Sequence, residues 1–241
     1  MTTFVLIHGA GDSGWSWHLV AAELRARGHD VVAPDLPDAE SADLDTYAAA
    51  VVAATGDRPD AIVAAHSFGA FTAPLVADRL AARALVLVAG MIPAPGERPA
   101  DWWANVGYQD AVRAQAARDG GLTGSDDPYV CYYHDVPRPL AEEALRRERA
   151  HPSEPAYAQP WPLDAWPGVP TRFVLFRQDR CFPPQLFRRL APERLGVTPD
   201  ELDAGHCGAL SRPAALADLL HSQGSSSLRS SAPRPSNRAG R

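Results

Sequence analysis

Short apolar runs alternate with longer helical patterns along most of the chain. The runs are rich in Val, Leu and Ile and are not polar at alternate positions, which is typical of strands buried on both faces. They occur at Thr3–His8, Asp30–Pro34, Ala61–Ala65, Ala84–Ala89 and Arg172–Phe176. Strands and helices in alternation predict an α/β fold, in which a mostly parallel sheet with right-handed crossovers is flanked by helices.

Three helical patterns fill the spaces between the first four runs. They cover Trp15–Arg27, Asp45–Ala54 and Phe68–Ala82. The first two stop just before a glycine, which is a common end of a helix. Pro74 lies inside the third pattern. Because proline interrupts the helix interior, this position predicts either a kink or a later start of the helix.

The alternation stops between residues 91 and 170. This segment combines Pro and Gly clusters, many aromatic residues and one helix candidate at Leu140–Ala150. We therefore predict a core made of residues 1–90 and 171–221, with residues 91–170 inserted as a helical cap. Residues 222–241 are rich in Ser, Pro, Arg and Gly and have almost nothing to bury. That composition predicts a disordered tail.

Charge and targeting signals narrow the functional classes. The formal net charge is −6, and all 23 basic residues are arginine. An acidic balance argues against nucleic acid and anionic membranes as partners. The sequence has no transmembrane-length apolar stretch and no charged leader before the first strand. The three cysteines lack metal-type spacing, which favours reduced thiols and a cytoplasmic location.

A serine occupies the sharp turn that follows the third apolar run. Ala65-His66-Ser67-Phe68-Gly69 has the pattern small-x-Ser-x-small between a strand and a helix. This pattern is typical of a nucleophile elbow, which lifts the serine hydroxyl above the carboxyl edge of a sheet. The flanking residues must be small because strand and helix pass close together. The alternative is a serine in an ordinary strand–helix connection.

A serine nucleophile requires a base and an acid, in the chain order Ser, acid, His. His206 follows the last strand-like piece and fits this order better than the other seven histidines. Asp179 is the carboxylate in the loop after Arg172–Phe176, where it would orient the imidazole. Alternatively, Asp179 caps the following helix or pairs with Arg177 or Arg180.

The glycine-rich loop after the first strand supplies the remaining requirement, an oxyanion hole. We predict that the backbone N–H groups of Ala10 and Phe68 form it, with glycines in the loop turning the amides inward. A phosphate site is the alternative for such a loop. The loop has no G-x-G-x-x-G pattern, no Walker lysine and no acidic ribose ligand.

At the level of whole stretches, the chain resembles the α/β-hydrolase superfamily. Within it, the chain is most similar to the small esterase branch with plant methylesterases, hydroxynitrile lyases and bacterial relatives. The similar stretches are FVLIHGAGDSGWSWHLVAAELRARGHDVVAPDLP, AHSFGA, LVLVAGMIP and AGHCGALSRPAALADLL. The resemblance implies a six-stranded sheet, smaller than that of larger members of the superfamily, and a cap over the site. Two departures are Ala65 in place of the first elbow glycine and a cap rich in Pro and Trp.

These features predict a serine hydrolase that cleaves small carboxylic esters through a Ser67–His206–Asp179 triad and an acyl-enzyme. The reaction needs no metal and no organic cofactor. Aromatic residues of the cap are candidates for the substrate pocket. They are Trp102, Trp103, Tyr132 and Tyr133.

Other functions on the same fold stay open. A cofactor-free perhydrolase or dioxygenase could use the same triad, and thioesters or lactones could replace esters. A ligand-binding receptor is the alternative from a different class. A hydroxynitrile lyase is disfavoured because the plant members place a lysine near the site and this chain has none. A dehalogenase would need a carboxylate where Ser67 stands. The sequence does not define an oligomeric state.

Overall fold

A six-stranded parallel sheet forms the centre of the computed structural model, which describes residues 1–226, with side chains to residue 222. The spatial order of the strands is β2-β1-β3-β4-β5-β6, and all neighbours are parallel. The strands are β1 Thr3–Ile7, β2 Asp30–Val32, β3 Ala61–His66, β4 Ala84–Val88, β5 Thr171–Phe176 and β6 Asp200–Leu202. The predicted α/β class and six-stranded parallel sheet are confirmed.

The central strands are buried because helices cover both faces of the sheet. Every residue of β1, β3 and β4 is buried. In register, Leu6 lies beside Ala64, and Ala64 lies beside Val86. Fully burying a large aliphatic side chain contributes about 1.5–3 kcal/mol, so this continuous apolar block is the main source of stability.

The helices of the core lie between the strands, as their sequence patterns predict. They are α1 His18–Ala26, α2 Leu44–Thr55 and α3 Ala73–Arg79. The pattern over Phe68–Ala82 begins as a tight 3-10 turn at Ser67–Phe71, and Pro74 lies in the first turn of α3. A proline is compatible with that position because the first N–H groups of a helix have no acceptor within it. The later start predicted for this helix is therefore what the chain adopts.

Five helices lie between β4 and β5, in residues 91–170, which we call the insertion. They are α4 Pro99–Asn105, α5 Tyr108–Asp119, α6 Pro128–Cys131, α7 Arg138–Arg146 and α8 Glu154–Ala158. Buried aromatic rings join the insertion to the core. The indole N–H of Trp161 donates to the carbonyl of Phe71 at 3.0 Å.

The chain returns to the sheet through β5 and ends in helices. These are α9 Pro184–Leu195, α10 Gly208–Ser211 and α11 Pro213–Ser226. The last helix reaches Ser226, and residues 227–241, most of the segment predicted as a disordered tail, lie outside the described residues. Within residues 1–226, no helix combines the length and the apolar character needed to cross a bilayer.

Candidate active site

Four loops meet at the carboxyl edge of the sheet, where open α/β sheets bind their ligands. The loop after β1 carries Ala10, and the turn after β3 carries Ser67. The loops after β5 and β6 carry Asp179 and His206. The parallel sheet thus brings together residues that lie more than a hundred positions apart in the chain.

Ser67 has a backbone conformation that non-glycine residues rarely adopt. Its φ is +51°, in the left-handed region. The residue stands at the start of the 3-10 turn that follows β3, and it is 9% exposed. Space around it is tight, since a Cβ at Gly9 would lie 2.9 Å from the Ser67 Cβ. These are the strain and the close packing of a nucleophile elbow.

His206 and Asp179 form a buried pair. The Nδ1 of His206 lies 2.8 Å from Oδ2 of Asp179, and their side chains are 5% and 2% exposed. The other carboxylate oxygen accepts the backbone N–H groups of Cys181 and Phe182, both at 2.8 Å. Three hydrogen bonds thus fix the carboxylate, so it can hold the imidazole in one orientation and one tautomer.

Asp179 takes neither of the alternative roles, helix cap or arginine partner. The residue before α9 is Pro183, and it has no side-chain cap. The Arg180 side chain donates to the carbonyl of Val130, while Arg177 pairs with Asp203 at 3.5 Å. Asp179 therefore pairs with His206 and forms no ion pair with Arg177 or Arg180.

The pKa of His206 is shifted in the opposite direction to the pKa values of the other buried histidines. Burial disfavours its charged form, but the nearby Asp179 carboxylate outweighs this, so the pKa of His206 lies above its ordinary value. Burial lowers the pKa of His8 to about 4 and that of His151 to about 3. It also lowers the pKa of His66 well below the usual range. His206 is the histidine in this group whose protonated form is stabilised.

Ser67 and His206 line one cavity of about 400 Å³. Within the described part of the chain, no hydrogen bond ties the Ser67 hydroxyl to another protein group. Hydrogen bonds between catalytic groups are often long before substrate binds and tighten in the complex. Ser67 and His206 thus border one space that is large enough for a small molecule.

The two backbone donors expected for an oxyanion hole also border this cavity. Ala10 and Phe68 are both among its lining residues. Phe68 is the second residue of a helical turn, where an N–H group has no acceptor within the helix. The neighbouring Gly11 N–H is engaged, because it donates to the carbonyl of His151 at 2.8 Å. In this loop the amide of Ala10 is therefore the better candidate.

Three of the four aromatic residues predicted for the pocket do line the cavity: Trp103, Tyr132 and Tyr133. Trp102 does not. It is fully buried behind Trp103, and its indole N–H donates to the carbonyl of Ile92 at 3.0 Å. Consecutive helix residues point about 100° apart, so only one of the two tryptophans of α4 can face the cavity.

Several lining residues were not predicted from the sequence. Asp12 borders the cavity from the glycine-rich loop, and Glu148 borders it just after α7. Tyr157 lines it from α8 and accepts the indole N–H of Trp103 at 2.7 Å. Asp12 had a detectable signal, because it lies two residues after the predicted oxyanion donor. The others depend on how the insertion folds over the core, which a local pattern does not encode.

Comparison with known proteins agrees with this architecture. A family model described as the alpha/beta hydrolase family matches residues 4–219. A carbendazim hydrolyzing esterase of Nocardioides sp. (strain SG-4G) is 33% identical over 109 residues, which cover 40% of this chain and 45% of that protein. Methylesterase 7 of Arabidopsis thaliana is 33% identical over 111 residues, covering 40% and 43%. The chain thus aligns with less than half the length of these relatives.

A solved structure extends the likeness over nearly the whole chain. The pyrethroid hydrolase of Sphingobium faniae JZ-2 superposes with a TM-score of 0.73 at 21% identity. The match covers 93% of this chain and 98% of that one. At this level of identity the likeness concerns the fold, and chemistry has to be argued from the residues of the site.

Proposed function

The chain belongs to the alpha/beta hydrolase family, and from that premise we propose that it is a serine hydrolase that cleaves small carboxylic esters. Ser67 is the nucleophile, His206 the general base and acid, and Asp179 the residue that orients the base. The insertion acts as the cap over the substrate. Plant methylesterases and bacterial esterases among its relatives support this class of reaction.

One observation carries the proposal. A serine with a left-handed backbone lines the same cavity as a buried histidine whose Nδ1 lies 2.8 Å from a carboxylate oxygen. A serine hydroxyl becomes a useful nucleophile only when an oriented base can remove its proton. Ser67, His206 and Asp179 supply the three roles in the required chain order.

The mechanism follows from these positions. Asp179 accepts the Nδ1–H of His206, which leaves Nε2 free to take the proton of Ser67 as the hydroxyl attacks the ester carbonyl. The N–H groups of Ala10 and Phe68 stabilise the oxyanion, and each such donor contributes about 3–4 kcal/mol. His206 then protonates the leaving alcohol. Water activated by the same imidazole hydrolyses the acyl-enzyme.

The cavity suits a small, largely apolar ester. Its volume of about 400 Å³ lies within the range of small-molecule sites. Trp103, Tyr132 and Phe182 contribute aromatic walls, which bury the apolar parts of a ligand with little loss of side-chain entropy. The insertion supplies the first two of these residues, so the insertion sets much of the substrate specificity.

A cytoplasmic location is part of the same proposal. All three cysteines are free thiols, a state that the reducing cytosol maintains. Cell fractionation, with the native protein detected by an antibody, tests the proposed location. Recovery of the protein outside the cytosolic fraction would contradict this part and leave the chemistry untouched.

The decisive experiment removes the nucleophile. Ser67→Ala should abolish release of p-nitrophenol from short-chain esters, since no other hydroxyl occupies the elbow. A phosphonate probe should label the native protein at Ser67, as located by peptide mass spectrometry. Ser41→Ala removes an exposed hydroxyl and serves as the matched control, with full activity. Ester hydrolysis that survives in Ser67→Ala would refute the proposed role of Ser67.

A further inference from the structure

Two acidic residues line the cavity, and the basic residues described on its wall are His66 and His206. Asp12 and Glu148 both contribute to its wall, and among the described residues that line it there is no arginine. The chain contains no lysine. The surface seen by a substrate is thus negative wherever these two carboxyl groups are ionised.

Among the described residues, Asp12 forms no ion pair with an arginine, and the nearby His206 influences it only through its charge. Within residues 1–226, its one ion-pair-range contact is with Nδ1 of His66, which lies 3.9 Å from Oδ2. The other ring nitrogen of His66 donates to the carbonyl of His206 at 3.0 Å, so Nδ1 presents a lone pair to Asp12. Because burial keeps His66 neutral near pH 7, it does not neutralise a carboxylate.

Glu148 completes the negative wall at the cavity mouth. Its side chain is exposed, and its arginine neighbours are engaged elsewhere. Arg147 pairs with Glu143 at 2.5 Å. Arg149 pairs with Asp35 and Asp38. Since these arginines are held by other acids, the Glu148 carboxylate remains available to a ligand.

Aromatic rings line the same cavity as the two carboxyl groups. Six aromatic residues line the cavity: Phe68, Trp103, Tyr132, Tyr133, Tyr157 and Phe182. The faces of such rings attract cations, especially where water is excluded. A carboxylate combined with aromatic walls is the chemistry that binds ammonium groups.

We propose that this cavity selects esters that carry a positively charged amino group, which Asp12 and the aromatic walls hold while Ser67 attacks the ester. Asp12 is thus a specificity-determining residue, and esters with an anionic group are poor substrates. The inference rests on the proposed ester hydrolysis and names the substrate class of the same site.

The preference should depend on pH. The pKa of Asp12 is raised to about 7, mainly because the carboxyl group is buried; the charge of His206 opposes this shift, and the charge of Glu148 adds to it. The titratable groups facing Asp12 are His66, His206, Glu148, Tyr133 and Cys207. The ionised form of Asp12 attracts the cation, so selectivity for cationic esters should grow as pH rises through about 7.

Two esters of matched shape test the proposal. Acetylcholine carries a quaternary ammonium group, and 3,3-dimethylbutyl acetate is its neutral counterpart. We expect the native protein at pH 8 to prefer acetylcholine about tenfold in kcat/KM, measured by titration of the released acid. The ratio should fall towards one in Asp12→Asn, and Glu148→Gln should lower it less. Asp57→Asn removes an exposed carboxylate in the connection before β3, at the amino edge of the sheet and so opposite to the cavity, and should leave the ratio unchanged.

A binding measurement keeps this test separate from the ester chemistry. Isothermal titration with choline should give a Kd about tenfold weaker for Asp12→Asn than for the native protein, with folding of each variant checked by circular dichroism. An equal or reversed ester preference in the native protein would overturn the proposal, and so would choline binding that Asp12→Asn leaves unchanged. If neither ester is hydrolysed, the calorimetric titration alone shows whether Asp12 contributes to cation binding. If Asp12→Asn does not fold, Glu148→Gln has to show weaker choline binding.

Discussion

Strain at one residue is balanced by the close packing around it. Ser67 adopts φ +51°, and such conformations cost about 1–3 kcal/mol in non-glycine residues. They persist where the surrounding structure leaves no alternative. Here the neighbouring backbone of β1 and the 3-10 turn enclose Ser67, so the hydroxyl is held at the cavity before any substrate arrives. Preorganisation of this kind is part of catalysis.

At the same scale, Asp179→Asn tests how the base is tuned. In Ser-His-Asp enzymes this change lowers kcat about 10⁴-fold because the imidazole adopts the wrong tautomer. In the native protein, kcat/KM should rise with pH through an inflection above 6.5, because His206 must lose its proton to act and its pKa is raised. Without the carboxylate, burial dominates and the inflection should move below 6.5.

The pH–rate profile with p-nitrophenyl acetate measures both effects. Asp203→Asn removes an exposed carboxylate in the next loop and should keep the native profile. An unchanged inflection in Asp179→Asn would show that another group sets the pKa of the base.

How far single residues could be predicted depends on whether their role is local. Ser67, Asp179 and His206 follow strands in a fixed order, so the sequence alone selects them as candidates for the proposed triad. Trp102 and Trp103 are adjacent and chemically alike, and only the docking of α4 decides which one faces the cavity. Asp12 belongs to no motif, and its environment arises from the insertion and the turn after β3.

At the element scale, burial decides which strands a sequence pattern can show. The central predicted strands are apolar because helices cover them. β6, Asp200–Leu202, was not among the predicted runs because two of its three residues are acidic, whereas β2, the other three-residue edge strand, has two valines. An edge strand is only partly covered and can be polar. The insertion helices were poorly predicted because some of them have little apolar surface to bury. α5, for example, has no buried residue.

The contact between the 3-10 turn and β1 should tolerate no added methyl group. A Cβ at Gly69 would lie 2.5 Å from the carbonyl oxygen of His8, a backbone atom that cannot move aside. We expect Gly69→Ala to lower the free energy of unfolding by about 1–3 kcal/mol and to displace the elbow. Urea denaturation measures the loss.

Gly168→Ala is the matched control, because a Cβ there has open space around it. Its effect should stay within about 0.5 kcal/mol. Equal stability of the two variants would mean that the turn and β1 do not approach as closely as described.

For the whole molecule, the insertion and the sheet share one core. Trp102 and Trp161 of the insertion belong to the same buried cluster as the strands. A partly buried ion pair also joins the two, since Glu97 contacts Arg194 of α9 at 2.5 Å. Their packing makes separate unfolding of the insertion unfavourable.

Unfolding should therefore be a single transition. Tryptophan emission reports mainly on the insertion, which carries four of the six tryptophans, while far-ultraviolet circular dichroism reports on all helices and strands. In urea the two curves should coincide, as expected for two-state behaviour. An emission change at clearly lower urea would indicate that the insertion melts first.

The route of the insertion through the molecule limits how this scaffold can be re-engineered. It leaves the carboxyl end of β4 and returns to the amino end of β5, where Leu85 donates to the carbonyl of Pro170. Neighbouring parallel strands require a long crossover connection, and here the insertion is that connection. Grafting a relative's cap to exchange selectivity therefore needs splice sites at opposite ends of the sheet, and trimming it to a short linker would leave β5 unable to reach its place.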